Sequence, residues 1–337
     1  MKRFVVPPPA PSKEGMYLLF ERVRDCVAHP FDPRVLGIAL MLVLCTTLFA
    51  ADDCGCKAPH ESMPKITVNG VTLTPKDPIG SFGFAEGQLH TPGRMALLQR
   101  DVLVADRRNR RIQRFGRSGQ WVYGFRQVQD PDGESDTLQD PFAIAVNPRG
   151  NIYVSDMSEN LIYVFDTQGR YSSTIGQFSG LGLRFNQPAG LAVDIEGYLY
   201  VADTGNNRVL KLDDNGKRVF EISPVEGDLR SPSQIVVAVD ETLSVLDNTG
   251  LKVYDSYGRF QRQWVKAEGA TGFAIDSRGW AYLVFPQLGR LAIYGPEGAL
   301  LTQIDDVFKV PVDVMVEGTR LWISDAGTHR ITAWTVE

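Results

Sequence analysis

An all-β fold of six four-stranded antiparallel blades closed into a ring is predicted for residues 79–337 by three observations. First, a run of alternating apolar residues ending in a polar turn recurs six times: "VLVADRRNRRIQRF" (102–115), "IYVSDMSENLIYVFD" (152–166), "LYVADTGNNRVLKLD" (199–213), "LSVLDNTGLKVYD" (243–255), "AYLVFPQLGRLAIYG" (281–295) and "LWISDAGTHRITAW" (321–334). Second, each copy is flanked upstream by a run such as "PAGLAVDIEGY" (188–198), and every copy but the last is followed by a Gly-headed run such as "GKRVFEI" (216–222). That makes four short strands per repeat at a period of roughly 40–50 residues, the size of one propeller blade. Third, the last repeat stops one strand short, and "IGSFGFAEGQLHTP" (79–92) aligns without gaps to "IGQFSGLGLRFNQP" (175–188), the end of a fourth strand and the linker after it. Residues near 79–83 are therefore expected to complete the sixth blade, so that an N-terminal strand closes the ring and no open edges are left.

The chain ahead of the repeats divides into three. Val35 to Ala51 carries no charge and is bounded by Arg34 and by Asp52-Asp53. Lys2, Arg3, Lys13, Arg22, Arg24 and Arg34 precede it, an asymmetry that puts residues 1–34 in the cytoplasm and the repeats outside it. Residues 35–51 are read as a transmembrane signal-anchor helix or a signal segment, short for a span and long for a cleaved core. Both outcomes stay open: membrane anchorage through 35–51, or secretion after cleavage. Residues 52–78 are read as a linker. Cys26, Cys45, Cys54 and Cys56 are the only cysteines, so the repeat body relies on its apolar core, without disulfides.

A hydrophobic content of 43% and a charged content of 22% exclude disorder for most of the chain. The net charge of −5, with acidic residues still in excess from residue 79 onward, offers no general attraction to nucleic acid. Nucleic acid is not expected as a partner.

Residues 188–213 follow Pro-x-Gly-Leu-Ala-Val-Asp and then Tyr-Val-Ala-Asp-x-x-Asn-Asn-Arg-Val, and this pattern resembles the NHL repeat. The first two copies match it well and the sixth in part, whereas the fourth and fifth are degenerate. The resemblance spans roughly 79–337 and implies a six-bladed β-propeller. It implies no function, because such folds host many.

The repeated charges are read as scaffold. The strand-end position holds Asp106, Asp156, Asp203, Asp247 and Asp325, with Phe285 in the fifth copy. An arginine follows five residues later in Asp106/Arg111, Asp203/Arg208 and Asp325/Arg330, and Arg290 keeps its place opposite Phe285. A catalytic residue is needed once and a folding device in every blade, so these pairs are expected to fix the turn between second and third strands.

Two enzymatic readings follow from related propellers. One resembling the amidating lyases would hold zinc with several histidines, but only His60, His90 and His329 follow the apolar segment; His329 takes the place of an Asn in the template turn. One resembling the lactonases would hold calcium in the central channel with carboxylate and amide oxygens. No cofactor is predicted, and calcium is the metal that stays open. The remaining anomaly is "DRRNRRIQRFGR" (106–117), where Arg107, Arg108, Arg110 and Arg114 form a candidate docking patch for an acidic partner. The expectation is an extracytoplasmic, membrane-tethered, non-catalytic scaffold that binds a protein or an envelope polysaccharide. The alternative is a calcium-dependent propeller hydrolase or lyase.

Overall fold

The computed structural model describes residues 63–129, 133–176, 183–225 and 227–337. The segments expected at 1–34 and 35–51, and Cys54 and Cys56, lie outside them. No helix among the described residues is long and apolar enough to cross a membrane.

Ser62–Glu337 forms one compact unit of antiparallel four-stranded sheets. The first blade runs Pro92–Leu98, Asp101–Asp106, Arg111–Phe115 and Trp121–Phe125. The second runs Pro141–Val146, Ile152–Asp156, Leu161–Phe165 and Tyr171–Ile175, and the third Pro188–Val193, Leu199–Asp203, Arg208–Leu212 and Arg218–Ile222. The fourth is Gln234–Val237, Leu243–Asp247, Gly250–Tyr254 and Phe260–Lys266, and the fifth Gly272–Ile275, Ala281–Phe285, Arg290–Tyr294 and Leu300–Ile304. The sixth comprises Pro311–Glu317, Arg320–Asp325 and Arg330–Val336, with Val71–Ile79 paired antiparallel to Arg330–Val336. The first strand of each blade packs on the first strands of its neighbours, and Pro311–Glu317 packs on Pro92–Leu98, so these six strands surround one axis.

The second strands are buried from end to end, as sequences such as "LYVAD" require when both sheet faces are covered. Fourth strands such as "RVFEI" are half exposed. Six apolar clusters fill the six seams between blades. At the seam of blades three and four, Tyr200 and Val209 meet Ile235, Val245 and Tyr254. At the seam of blades six and one, Trp322 and Ile331 meet Met95, Val104 and Phe115. The core is thus a ring of interfaces, each shared by two repeats.

The N-terminal strand differs in position from the sequence expectation. It occupies Val71–Ile79, so only Ile79 falls within 79–83, and Ile66–Val68 adds a fifth strand outside it. The stretch read as linker up to residue 78 therefore holds two strands. Pro75 and Pro78 interrupt the run and disguise it, and the pairing shifts register between Lys76 and Ile79. Val71, Leu73 and Ile79 are nonetheless buried. A two-stranded excursion, Gln127–Gln129 with Ser135–Thr137, separates the first two blades and buries Val128 and Leu138 against their seam.

Near the axis the innermost strands approach too closely for side chains in some blades. A Cβ on Gly190 would stand 2.5 Å from Ser233 O and 2.8 Å from Gln234 Cα. Gly190→Ala is therefore expected to cost about 1–3 kcal/mol in urea unfolding. Gly295→Ala, whose added carbon meets nothing nearer than 3.5 Å, is expected to stay within about 0.5 kcal/mol of wild type.

Candidate functional site

Antiparallel connectivity sorts the loops onto two faces. One face carries the turns between second and third strands together with the linkers from blade to blade. The other carries the remaining hairpin turns. The recurring aspartates sit on the linker face, fully or almost fully buried. Asp203 accepts from Asn186 N at 2.7 Å, Asn206 Nδ2 at 2.8 Å and Arg208 Nε at 2.7 Å. Asp106 accepts from His90 N, Asn109 Nδ2, Arg111 Nε and Gln113 Nε2 at 2.7–3.0 Å. One carboxylate thus ties a 3₁₀ turn to the linker that enters its own blade.

The same corner is met differently elsewhere. Asp156 accepts only backbone N–H groups, from Gln139, Asp140, Ser158 and Glu159. Asp247 pairs with Lys252 Nζ at 2.6 Å and accepts Arg230 N. Asp325 is held by the N–H groups of Lys309, Val310, Gly327 and Thr328. Arg330 lies opposite it in register, but among the described residues the two form no ion pair; four backbone donors already occupy that carboxylate. Phe285 packs in the seam of blades four and five, and Arg290 pairs instead with Asp305 at 2.5 Å.

The arginines of 106–117 are mostly engaged within the fold. Arg107 makes a two-pronged bond to Asp140 at 2.8–2.9 Å and lies 4.7 Å from the Phe142 ring centroid. Arg110 donates to Gln139 Oε1, Arg114 pairs with Asp101 beside the Tyr123 ring, and Arg117 pairs with Glu317. Arg108 is the member whose guanidinium has no such partner among the described residues. Arg107, Arg108, Arg110 and Arg114 do not therefore present four free cations.

A polar cluster absent from the sequence expectations occupies the axis. Arg94, 4% exposed, donates through Nε to Ala189 O at 2.8 Å and through Nη2 to Ser233 O and Thr271 O at 2.8 and 2.9 Å. Its Nη1 meets Asp313 Oδ1 at 3.2 Å, and its guanidinium lies 5.3 Å from the Phe142 ring centroid. Asp313 also accepts Met95 N at 2.9 Å and Gln234 Nε2 at 3.1 Å, while Gln234 Oε1 accepts Phe273 N at 2.7 Å. All six blades contribute. Burial pushes the Arg94 guanidinium down and the Asp313 carboxyl up from their ordinary values, and each group's charge opposes that shift in its partner. A signal was present: the equivalent positions in blades two, three and five are Ala143, Gly190 and Gly272, so a charge inside "PGRMALL" or "PVDVMV" is out of keeping with its siblings.

This arrangement does not suit a channel calcium. The axis already holds a cation, and its nearest carboxylate is spent on that cation and two further donors. Among the described residues no group of three or more His, Cys, Asp or Glu side chains is placed to hold a metal.

On the linker face, at the seam of blades six and one, four rings gather. Phe82 and Phe84 stand 45% and 69% exposed. Phe82 lies 5.2 Å from the His90 ring and 4.8 Å from the His329 ring, and the two imidazoles are 5.4 Å apart, centroid to centroid. His90 Nδ1 is buried with no hydrogen-bond partner among the described residues. The opposite face carries a polar-walled cleft of about 550 Å³ between Asn147–Arg149 and Ile195–Tyr198.

Residues 185–212 match the family model of the NHL repeat. No curated protein matches the chain in sequence. Among solved structures, the chain is similar to a virginiamycin B lyase from Staphylococcus aureus at 11% identity and a TM-score of 0.57, over 79% of this chain and 99% of that one. It is also similar to a gluconolactonase from Xanthomonas campestris at 17% identity and 0.57, over 82% and 98%. A third is Kuenenia stuttgartiensis hydrazine synthase at 14% and 0.55, over 74% and 97%. At these identities the likeness is one of fold.

Breaking a buried pair leaves a lone charge, so Arg94→Met is expected to cost about 3–5 kcal/mol in urea unfolding. Arg94→Met with Asp313→Leu should recover part of that loss. Equal destabilisation by the single and double variants would show that the carboxylate left behind carries no penalty for standing unpaired. The described body is a six-bladed β-propeller whose third blade carries an NHL repeat.

Proposed function

We propose that the propeller is a non-catalytic binding scaffold that displays its linker face to a protein or envelope polysaccharide outside the cytoplasm. The observation that carries this reading is the axis itself. Arg94, Asp313 and Gln234 satisfy one another there, and the exposed aromatic surface lies on the rim, at Phe82 and Phe84. Exposed rings beside imidazoles give flat apolar contact together with hydrogen-bonding nitrogens, a combination suited to a partner that is only partly polar. Rigid blades would hold such loops in fixed positions.

Location rests on the N-terminal sequence: basic residues before an uncharged segment favour export, with tethering through residues 35–51 or secretion after cleavage. Nucleic acid is not favoured, since the arginines of 107–117 are largely engaged and the body is acidic.

Similarity of fold to a lyase and a gluconolactonase keeps the catalytic alternative in view, through whatever groups the rim supplies. The discriminating experiment places a photo-crosslinking amino acid at Phe84 or, on the opposite face, at Val239, in the full chain in cells. A partner captured at Phe84, missing at Val239 and lost in Phe82→Ser is the expected outcome. Equal labelling from both positions would defeat the rim assignment. A stoichiometric divalent ion in the purified protein, with turnover of a lactone or ester, would favour the enzyme.

A further inference from the structure

The turn between second and third strands ends in a residue of left-handed backbone conformation: Asn160 at φ 56°, Asn207 at 52° and His329 at 57°. Each reaches across a seam to a residue at the end of the linker that leads into the next blade. Asn160 Oδ1 accepts Gln187 N at 2.7 Å, and Asn207 Oδ1 accepts Ser231 N at 2.7 Å. Gln187 and Ser231 are themselves left-handed, at φ 52° and 47°. At the seam of blades six and one, His329 Nδ1 accepts Thr91 N at 3.0 Å, and Thr91 stands at φ 57°. The three contacts are one latch repeated, with the acceptor an amide oxygen twice and an imidazole nitrogen once.

From this comparison we infer that the latch between the last and first blades is a proton-operated switch, in which protonation of His329 Nδ1 releases the Thr91 N–H and loosens that seam. An amide oxygen accepts a hydrogen bond at any ordinary pH. An imidazole nitrogen accepts only while neutral; once protonated it is a donor pointed at another donor. Because Nδ1 accepts from Thr91, the neutral ring carries its proton on Nε2.

The groups around His329 decide where this happens. His90 from the linker faces it, Lys309 comes from the linker into blade six, Asp325 from the second strand of that blade, and Asp106 from the second strand of blade one. His90 and Lys309 oppose the imidazolium, whereas the two carboxylates favour it but are already occupied by the donors described above. Burial lowers the His329 pKa below its ordinary value, and His90 lowers it further. The folded protein thus binds this proton less readily than the unfolded chain. The latch contributes fully above the ordinary imidazole pKa of about 6.5, and its contribution falls away as pH drops through the lower folded value. Acid would therefore loosen the seam between the last and first blades, together with the Phe82 ring that rests on His329.

Native-state hydrogen exchange of the full chain, corrected for intrinsic rates, tests this on three amides at about pH 7.5 and about pH 5, on either side of the imidazole range. Protection of Thr91 is expected to fall about tenfold relative to Gln187 and Ser231, the loss of one hydrogen bond of about 1.4 kcal/mol. His329→Asn installs the acceptor used at the other two seams, so it should keep Thr91 protected at both pH values. Parallel behaviour of Thr91, Gln187 and Ser231 in the wild type would overturn the inference. So would a Thr91-specific acid loss that persists in His329→Asn.

Discussion

A guanidinium on the axis of a ring is tolerable only where each of its three nitrogens finds an acceptor. Arg94 finds them in the carbonyls of three other blades and in the carboxylate of a fourth. An unpaired charge at that depth would cost about 3–5 kcal/mol, so the network constrains how the blades are set around it. The small residues Ala143, Gly190 and Gly272 at the equivalent positions leave room for the arginine. Gln234 completes the circuit by bonding both to Asp313 and to the backbone of blade five. One long side chain thereby couples elements up to 219 residues apart in sequence.

Around that centre the structure is held by short-range devices used repeatedly. Each seam is filled by an apolar cluster from two neighbouring blades, and a strand-end aspartate in five of the six blades gathers the N–H groups of turn and linker. The devices tolerate exchange because their task is electrostatic and local. Lys252 stands in for arginine in blade four, Asp305 for the missing acid in blade five, and bare backbone donors suffice at Asp156 and Asp325. Where a copy departs from its siblings without such compensation, the departure changes surface chemistry, as at the exposed Phe84, which falls where the aligned linker has Gly180.

Much of this was legible beforehand. The alternation of "LYVAD" and its relatives, with the Asp and Gly turns between them, predicted strands, blade count and the pairing of Asp203 with Arg208. Three of the five acidic positions, Asp156, Asp247 and Asp325, act without the arginine pairing of the template, yet all five are buried acceptors, because recurrence reports the task and not the partner. The N-terminal strand was misplaced by several residues because Pro75 and Pro78 mask the alternation of Val71 and Leu73. The arginine-rich turn read as a candidate docking patch because sequence shows charges and not their counter-ions: Asp101 lies on the neighbouring strand of the same blade, and Asp140 and Glu317 come from the flanking blades.

By itself the sequence determined the local and the periodic: strand, turn and the repeat that stacks them, since these follow from alternation and turn chemistry within a few tens of residues. Tertiary structure decided which unlike residues meet. Arg94 and Asp313 stand at opposite ends of the repeat array, and no spacing connects them; only the ring brings the first and sixth blades together. The same holds for Thr91 and His329. Contacts made by closing a circle have no signature along the line, because the distance that matters is across the axis and not along the chain.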